Sequence, residues 1–158
     1  MTGIGLPWMT LCYFGLAVVS AVFPWVNAEI IVLSIPAVAP SKTVLLVLVL
    51  IATAGQMTGK CILYWAGRNG NKILRGRAGQ ALAKWRDRLE SRPTRAIAVV
   101  LVSSLVGLPP FYLVTLVAGA TRMNFLTFLT AGTVGRLVRF GALVMLPQLA
   151  LSLFKGGA

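Results

Sequence analysis

Three ionisable residues in apolar stretches of the chain, one acid and two arginines, could together form an ion or anion site. Glu29 is the only acid outside the basic stretch 68–95. A carboxylate within an apolar span usually faces the protein interior and marks an ion or substrate path. Arg136 and Arg139 are three residues apart, so they project from one face of a helix. Their planar guanidinium groups suit phosphate and carboxylate. We expect Glu29 to neutralise one arginine and to leave net positive charge for an anion.

A second polar face lies in the first half of the chain. Gln56, Lys60 and Tyr64 follow one another at intervals of four residues, so a helix places them on one side. We expect Gln56 and Lys60 to contribute to a substrate or ion site. Other interpretations stay open: Lys60 and Arg139 could snorkel to the two membrane surfaces, and Glu29 could lie in contact with outside water.

Several kinds of catalytic site are missing from the sequence. The chain has no histidine, no cysteine pair with metal-ligand spacing, no P-loop and no Gly-x-Ser-x-Gly motif. Neither a hydrolase triad nor a metal site nor an ATPase is therefore predicted. We expect a protein that is not an enzyme and that uses no cofactor and no metal.

The composition predicts an integral membrane protein. Of the 158 residues, 58% are hydrophobic and only 11% are charged, whereas soluble domains carry about a quarter charged residues. Nine of the 15 Lys and Arg residues lie between Arg68 and Arg95. In so apolar a chain the positive-inside rule explains this cluster better than nucleic-acid binding does. Residues 68–95 are therefore predicted to form a cytoplasmic connector.

Two of the four apolar stretches predict full membrane spans, over Val44–Gly67 and Asn124–Met145. The other two, at 7–40 and 96–121, are interrupted by proline or glycine. Each of their pieces has about a dozen residues, or roughly 18 Å of helix, which is too short to cross the bilayer.

The interruptions predict two re-entrant helical hairpins, since proline stops the preceding helix. The restarted helices would then aim their positive amino-terminal ends at the bilayer midplane. The predicted breaks lie at Pro24, with further breaks at Pro36 and Pro40, in the first hairpin and at Gly107, Pro109 and Pro110 in the second.

The chain reads as one membrane domain, 1–158, with two similar halves at 7–67 and 96–154. Thr53-Ala54-Gly55 followed by Gly59-Lys60 corresponds to Thr130-Ala131-Gly132 followed by Gly135-Arg136. With the connector cytoplasmic, the two spans run in opposite directions, and the sequence predicts an all-α inverted repeat with a transport site near the midplane. The connector is interpreted either as a basic amphipathic helix on the cytoplasmic interface or as a solvated loop.

An ordered set of short motifs resembles the DedA superfamily, also called VTT-domain or SNARE-associated membrane proteins, and most closely its short YqaA-like branch. The motifs are Phe23-Pro24 followed by Glu29, Ala52-Thr53-Ala54-Gly55-Gln56-x-x-Gly59, Tyr64-x-x-Gly67-Arg68, Gly107-x-Pro109, Ala118-Gly119-x-x-Arg122-Met123-Asn124-x-x-x-Phe128 and Gly135-Arg136-x-x-Arg139.

The resemblance implies a flippase or scramblase that moves phospholipids or undecaprenyl phosphate between leaflets, with proton coupling in some relatives. Glu29 matches the acidic position after the first break, and Arg136 and Arg139 match basic positions of the last motif. The expected partners are membrane lipids, anionic or polyprenyl phosphate, in the bacterial inner (plasma) membrane. No nucleic-acid partner is expected, and a homo-oligomer stays open. The alternatives are an ion-coupled transporter of a small solute, and a non-transporting module that binds a partner through its glycine faces and basic helix. The last alternative predicts loss of the partner on altering Gly55 or Trp85.

Overall fold

The protein is all-helical in the computed structural model, which describes residues 5–23, 25–69 and 93–156. Pro24 and residues 70–92, which hold most of the predicted connector, lie outside the described residues. The six helices of the described part are α1 (Gly5–Val22), α2 (Ala28–Val38), α3 (Lys42–Asn69), α4 (Pro93–Val106), α5 (Phe111–Ala120) and α6 (Phe125–Gly156).

Two of these helices, α3 and α6, are long and apolar enough to cross a membrane. The apolar parts cover Lys42–Asn69 and Phe125–Pro147. They contain one lysine and two arginines near their centres, beside small and polar residues, whereas the amino-terminal part of α3 and the part of α6 after Arg139 are mostly aliphatic. The two predicted long apolar helices are confirmed, and they are consistent with a membrane protein.

The four shorter helices form two pairs, each with a break between its members. In the first pair, α2 begins after Asn27, whose Oδ1 accepts a hydrogen bond from the Glu29 N–H at 2.9 Å. In the second pair, Gly107 has a φ of +87°, which ends α4 and turns the chain toward Pro110 and α5. The second break therefore lies where the sequence predicts it.

Two details of the first pair differ from the sequence-based prediction. The prediction of a break at Pro36 is wrong, because Pro36 lies inside α2. The missing N–H removes only one bond near the end of this helix, and the Ala39 N–H still donates to the Ile35 carbonyl. The first helix is also longer than the predicted dozen residues, since α1 has 18.

The two long helices run antiparallel. Leu45 and Leu48 of the amino-terminal half of α3 pack in one cluster with Phe140 and Val144 of the carboxy-terminal half of α6. In the other direction, Tyr64 near the end of α3 stacks on Phe128 near the start of α6, with ring centroids 5.1 Å apart. The first cluster also takes residues from α1 and α2, and the second from α4 and α5.

The shorter helices pack on the long ones in a matching order. Helix α1 lies on α3 and α4 lies on α6, while α5 contacts α3 and α2 contacts α6. Glycines allow the closest approaches: an added Cβ at Gly59 would lie 2.8 Å from the Val18 carbonyl oxygen, and one at Gly135 would lie 3.0 Å from the Leu101 carbonyl oxygen. Each long helix thus holds the first member of one helix pair against its centre.

Candidate functional site

A cavity of about 580 Å³ lies where the two breaks meet the centres of α3 and α6. The five polar residues singled out in the sequence all contribute to its wall: Glu29, Gln56, Lys60, Arg136 and Arg139. Of the predicted break residues, Gly107 and Pro110 also line it. The Pro109 carbonyl instead accepts a 2.6 Å hydrogen bond from Ser103, and Pro24 is outside the described residues.

Two of the three cations in the cavity wall bind the carbonyl ends of interrupted helices. Lys60 Nζ donates to the Ala21 carbonyl at 2.7 Å, and Arg139 Nη1 donates to the Leu105 carbonyl at 2.9 Å. Ala21 and Leu105 are each the last but one residue of their helices, α1 and α4. The last carbonyls of a helix lack intrahelical partners and carry the negative end of the dipole, so a buried cation there satisfies both needs.

Glu29 forms an ion pair with Arg139, joining α2 to α6. The side chain of Arg139 is 18% exposed and that of Glu29 is 37% exposed, so the pair is partly shielded from solvent. Gly107 makes room for it, since an added Cβ would lie 3.1 Å from Arg139 Nη1. The expected neutralisation of one arginine by Glu29 therefore falls on Arg139.

Arg136 is held by aromatic rings instead. Its guanidinium carbon lies 4.9 Å from the centre of the Phe111 ring and 5.6 Å from that of Phe140. The residue is 9% exposed, and its Nε is buried without a hydrogen-bond partner in the described part of the chain. Stacking on rings stabilises the charge and fixes the plane, and it leaves the N–H groups at the edge of the guanidinium for a ligand.

Gln56 links the cavity to α1. Its Nε2 donates to Ser20 Oγ at 2.5 Å, whereas its buried Oε1 has no partner among the described residues. Ser20 Oγ in turn donates a hydrogen bond to the Ala17 carbonyl oxygen of the same helix at 2.9 Å. The amide is thereby positioned at the wall between two helices.

The starts of both second helices also face the cavity. Asn27 and Ala28 at the start of α2, and Pro110 and Phe111 at the start of α5, belong to its lining. Helix α5 begins without a side-chain cap, so its first N–H groups retain their capacity to donate. With three cations and one acid in the wall, the lining carries a net charge of two positive units. Helix starts and excess positive charge together favour an anion.

Metal binding finds no support in the ranges 5–23, 25–69 and 93–156. No group of three or more His, Cys, Asp or Glu side chains lies close enough there to hold an ion. The cavity wall has one carboxylate, Glu29, beside two guanidinium groups and one amine, so its charge favours an anion over a cation.

A comparison with known protein families shows which family the chain belongs to. The sequence profile of the VTT domain matches residues 3–149, which is nearly the whole chain. The chain belongs to the VTT domain family. This family, which includes the DedA proteins, is associated with membrane transport, and together with the two long apolar helices it makes the chain a membrane protein. No curated protein and no solved structure shows significant similarity to it.

Several residues of this VTT domain that contact the polar side chains of the cavity were not predicted from the sequence. Phe140 is four residues after Arg136, and helical spacing could have indicated their contact. Phe111 and Ser20 have no such local signal, because each comes from a different helix and meets the site only through tertiary packing. The same holds for the carbonyls of Ala21 and Leu105, since backbone acceptors leave no trace in residue types.

Proposed function

We propose that this VTT domain is a transporter, not an enzyme, that moves a phosphate-bearing lipid between the leaflets. The headgroup binds in the central cavity while the hydrocarbon chains remain outside that cavity, on the side of the bilayer. The observation that carries the proposal is Arg136, a buried cation that lines a cavity with net positive charge and forms no ion pair among the described residues. Phosphate is the common lipid group that a planar arginine binds best.

The packing of the helices supports the architecture that this mechanism needs, an inverted repeat of two re-entrant hairpins. If α1, α2 and α3 correspond to α4, α5 and α6, the α1–α3 contact corresponds to α4–α6 and the α2–α6 contact to α5–α3. The antiparallel α3 and α6 correspond to each other. Rocking of one half against the other around a fixed central site would open the cavity to each leaflet in turn.

The membrane location of the transporter and its orientation are proposed from the sequence. We place it in the bacterial inner (plasma) membrane with residues 68–95 in the cytoplasm, because nine of the 15 basic residues fall in this stretch. We also assign it to the short YqaA-like branch, which rests on the order of the motifs alone. Undecaprenyl phosphate and anionic phospholipids are the proposed cargoes, with or without proton coupling through Glu29.

Transport in liposomes tests the proposal. The purified protein, placed in phosphatidylcholine vesicles, should equilibrate labelled phosphatidic acid or polyprenyl phosphate between the leaflets. Arg136→Met should slow this at least tenfold, since a hydrogen bond to a charged group contributes about 1.5–3 kcal/mol. Arg95→Met is the matched control, because Arg95 is exposed at the start of α4 and does not line the cavity. Equal rates for Arg136→Met and wild type, or no transport by the wild type, would exclude this function.

A proton- or cation-coupled transporter of a small solute is the second candidate, favoured by the acid Glu29 in the same cavity. It predicts solute uptake that follows an imposed pH gradient, stops in Glu29→Gln and does not depend on the lipid. The third candidate, a non-transporting module that binds a partner through its glycine faces and basic helix, stays a prediction, although its Gly55 face is already occupied. A Cβ at Gly55 would lie 2.5 Å from the Phe14 carbonyl oxygen, so α1 already covers that face. Trp85, the other residue of that interpretation, lies outside the described residues.

A further inference from the structure

A second depression opens on the outer surface of the helices beside the central cavity. It has a volume of about 380 Å³ and is bounded by α2, α4 and α6. Seven of its eight lining residues are apolar, and the eighth is Arg139. The lining residues are Leu33, Leu105, Val138, Arg139, Ala142, Leu143, Leu146 and Pro147. We call this surface the apolar groove.

Arg139 lies between the apolar groove and the central cavity, since its side chain lines both. Its two hydrogen bonds reach one residue from each side: Leu105 belongs to the groove and Glu29 to the cavity. A ligand that occupied both spaces would therefore pass beside the Arg139 side chain.

The groove opens toward the surrounding bilayer. Its rim residues Leu33, Val138 and Leu146 are 48%, 52% and 62% exposed. In a membrane protein, exposed aliphatic side chains on a long apolar helix contact hydrocarbon. The groove is thus placed to take an apolar chain directly from the bilayer, without passage through water.

We infer that the apolar groove binds a hydrocarbon chain of the same lipid whose phosphate lies at Arg136. This inference rests on the proposed function, because it takes the cavity to be the headgroup site. A free phosphate would use the cavity alone, and a neutral lipid would use the groove alone. Only an amphiphile with an anionic head and an apolar chain matches the charge of one space, the apolar lining of the other and their shared wall at Arg139.

Two tryptophan variants on one face of α6 provide the test. Val138→Trp fills the groove, whereas Val134→Trp is the matched control: Val134 is the same residue type one turn earlier, is 53% exposed against 52% for Val138, and does not line the groove. Both sites face outward, so neither large side chain disturbs the core. Binding is measured in phosphatidylcholine nanodiscs with two probes, phosphatidic acid and the chainless headgroup glycerol phosphate.

We expect Val138→Trp to weaken phosphatidic acid binding at least tenfold and to leave glycerol phosphate binding unchanged, while Val134→Trp changes neither. Arg136→Met should weaken both probes. If Val138→Trp behaves like Val134→Trp, or loses both probes alike, the chain site is overturned while the headgroup site stands. If Arg136→Met binds both probes normally, the headgroup site is overturned instead, and the two failures are distinguishable.

Discussion

Replacing Gly135 by alanine should force α4 and α6 apart at their closest approach. The added Cβ would lie 2.9 Å from Ser104 Cβ and 3.0 Å from the Leu101 carbonyl oxygen, with Ser104 Oγ nearer still. A rotation of the serine side chain could remove the hydroxyl, but the Leu101 oxygen belongs to the backbone of α4 and moves only with that helix. Overpacking of this kind costs about 1–3 kcal/mol.

Gly141→Ala is the matched control in the same helix, because nothing lies within 4 Å of the Cβ that it would add. Alanine in a helix interior is favoured over glycine by about 1 kcal/mol, and both variants gain this amount. The difference between the two therefore isolates the clash. Thermal unfolding in detergent, followed by helical circular dichroism, should show Gly135→Ala about 1–3 kcal/mol less stable than Gly141→Ala.

The same substitution should affect the site, since Gly135 directly precedes Arg136. We expect Gly135→Ala, and not Gly141→Ala, to weaken phosphatidic acid binding. Adding Ser104→Ala removes the hydroxyl and should recover part of the stability, though the 2.9 Å approach of the two Cβ atoms remains. A Gly135→Ala protein as stable as Gly141→Ala would refute the close packing of α4 on α6 and, with it, the placement of Arg136.

Two further predictions concern the other charged residues of the cavity. Glu29→Gln should lower the unfolding temperature in detergent, because Arg139 loses its counter-charge. The double variant with Glu29→Arg and Arg139→Glu should be more stable than Arg139→Glu alone. Equal stability of the single and double variants would contradict the pairing. Lys60→Met should lower the free energy of unfolding by about 1–3 kcal/mol, because the Ala21 carbonyl loses its donor. The same variant should weaken phosphatidic acid binding less than Arg136→Met does. The reverse order would make Lys60 the headgroup residue.

The sequence predicted those parts of the fold that depend on local chemistry. Gly107 and the two prolines after it can hardly continue a helix, so the second break was expected where α4 ends. Long apolar runs around Lys60 and Arg136 could be accommodated only as helices of membrane length. Pro36 misled because a proline inside a helix removes one hydrogen bond and can kink the helix without ending it, and α2 continues for two residues beyond Pro36.

The geometry of the cavity could not be predicted in the same way. A lone carboxylate in an apolar span needs a cation, so a pair between Glu29 and an arginine was expected. Which arginine pairs with Glu29 depends on where α2 packs along α6. That position is set by tertiary packing and cannot be read from the spacing of residues in the sequence. The ring of Phe111 at Arg136 and the carbonyl of Leu105 at Arg139 depend on the same packing.

The contacts also revise the correspondence between the two halves. By sequence, Gly59-Lys60 matches Gly135-Arg136, but by role Lys60 matches Arg139, since each binds the last but one carbonyl of an interrupted helix. On this register the residue of α3 equivalent to Arg136 is Met57, which is buried and apolar. Two of the three cations are then explained by the helix ends that they satisfy, one in each half. Arg136 has no charged counterpart in the first half and binds no helix-end carbonyl, so the proposed headgroup site rests on the one cation of the cavity wall that the helix ends do not explain.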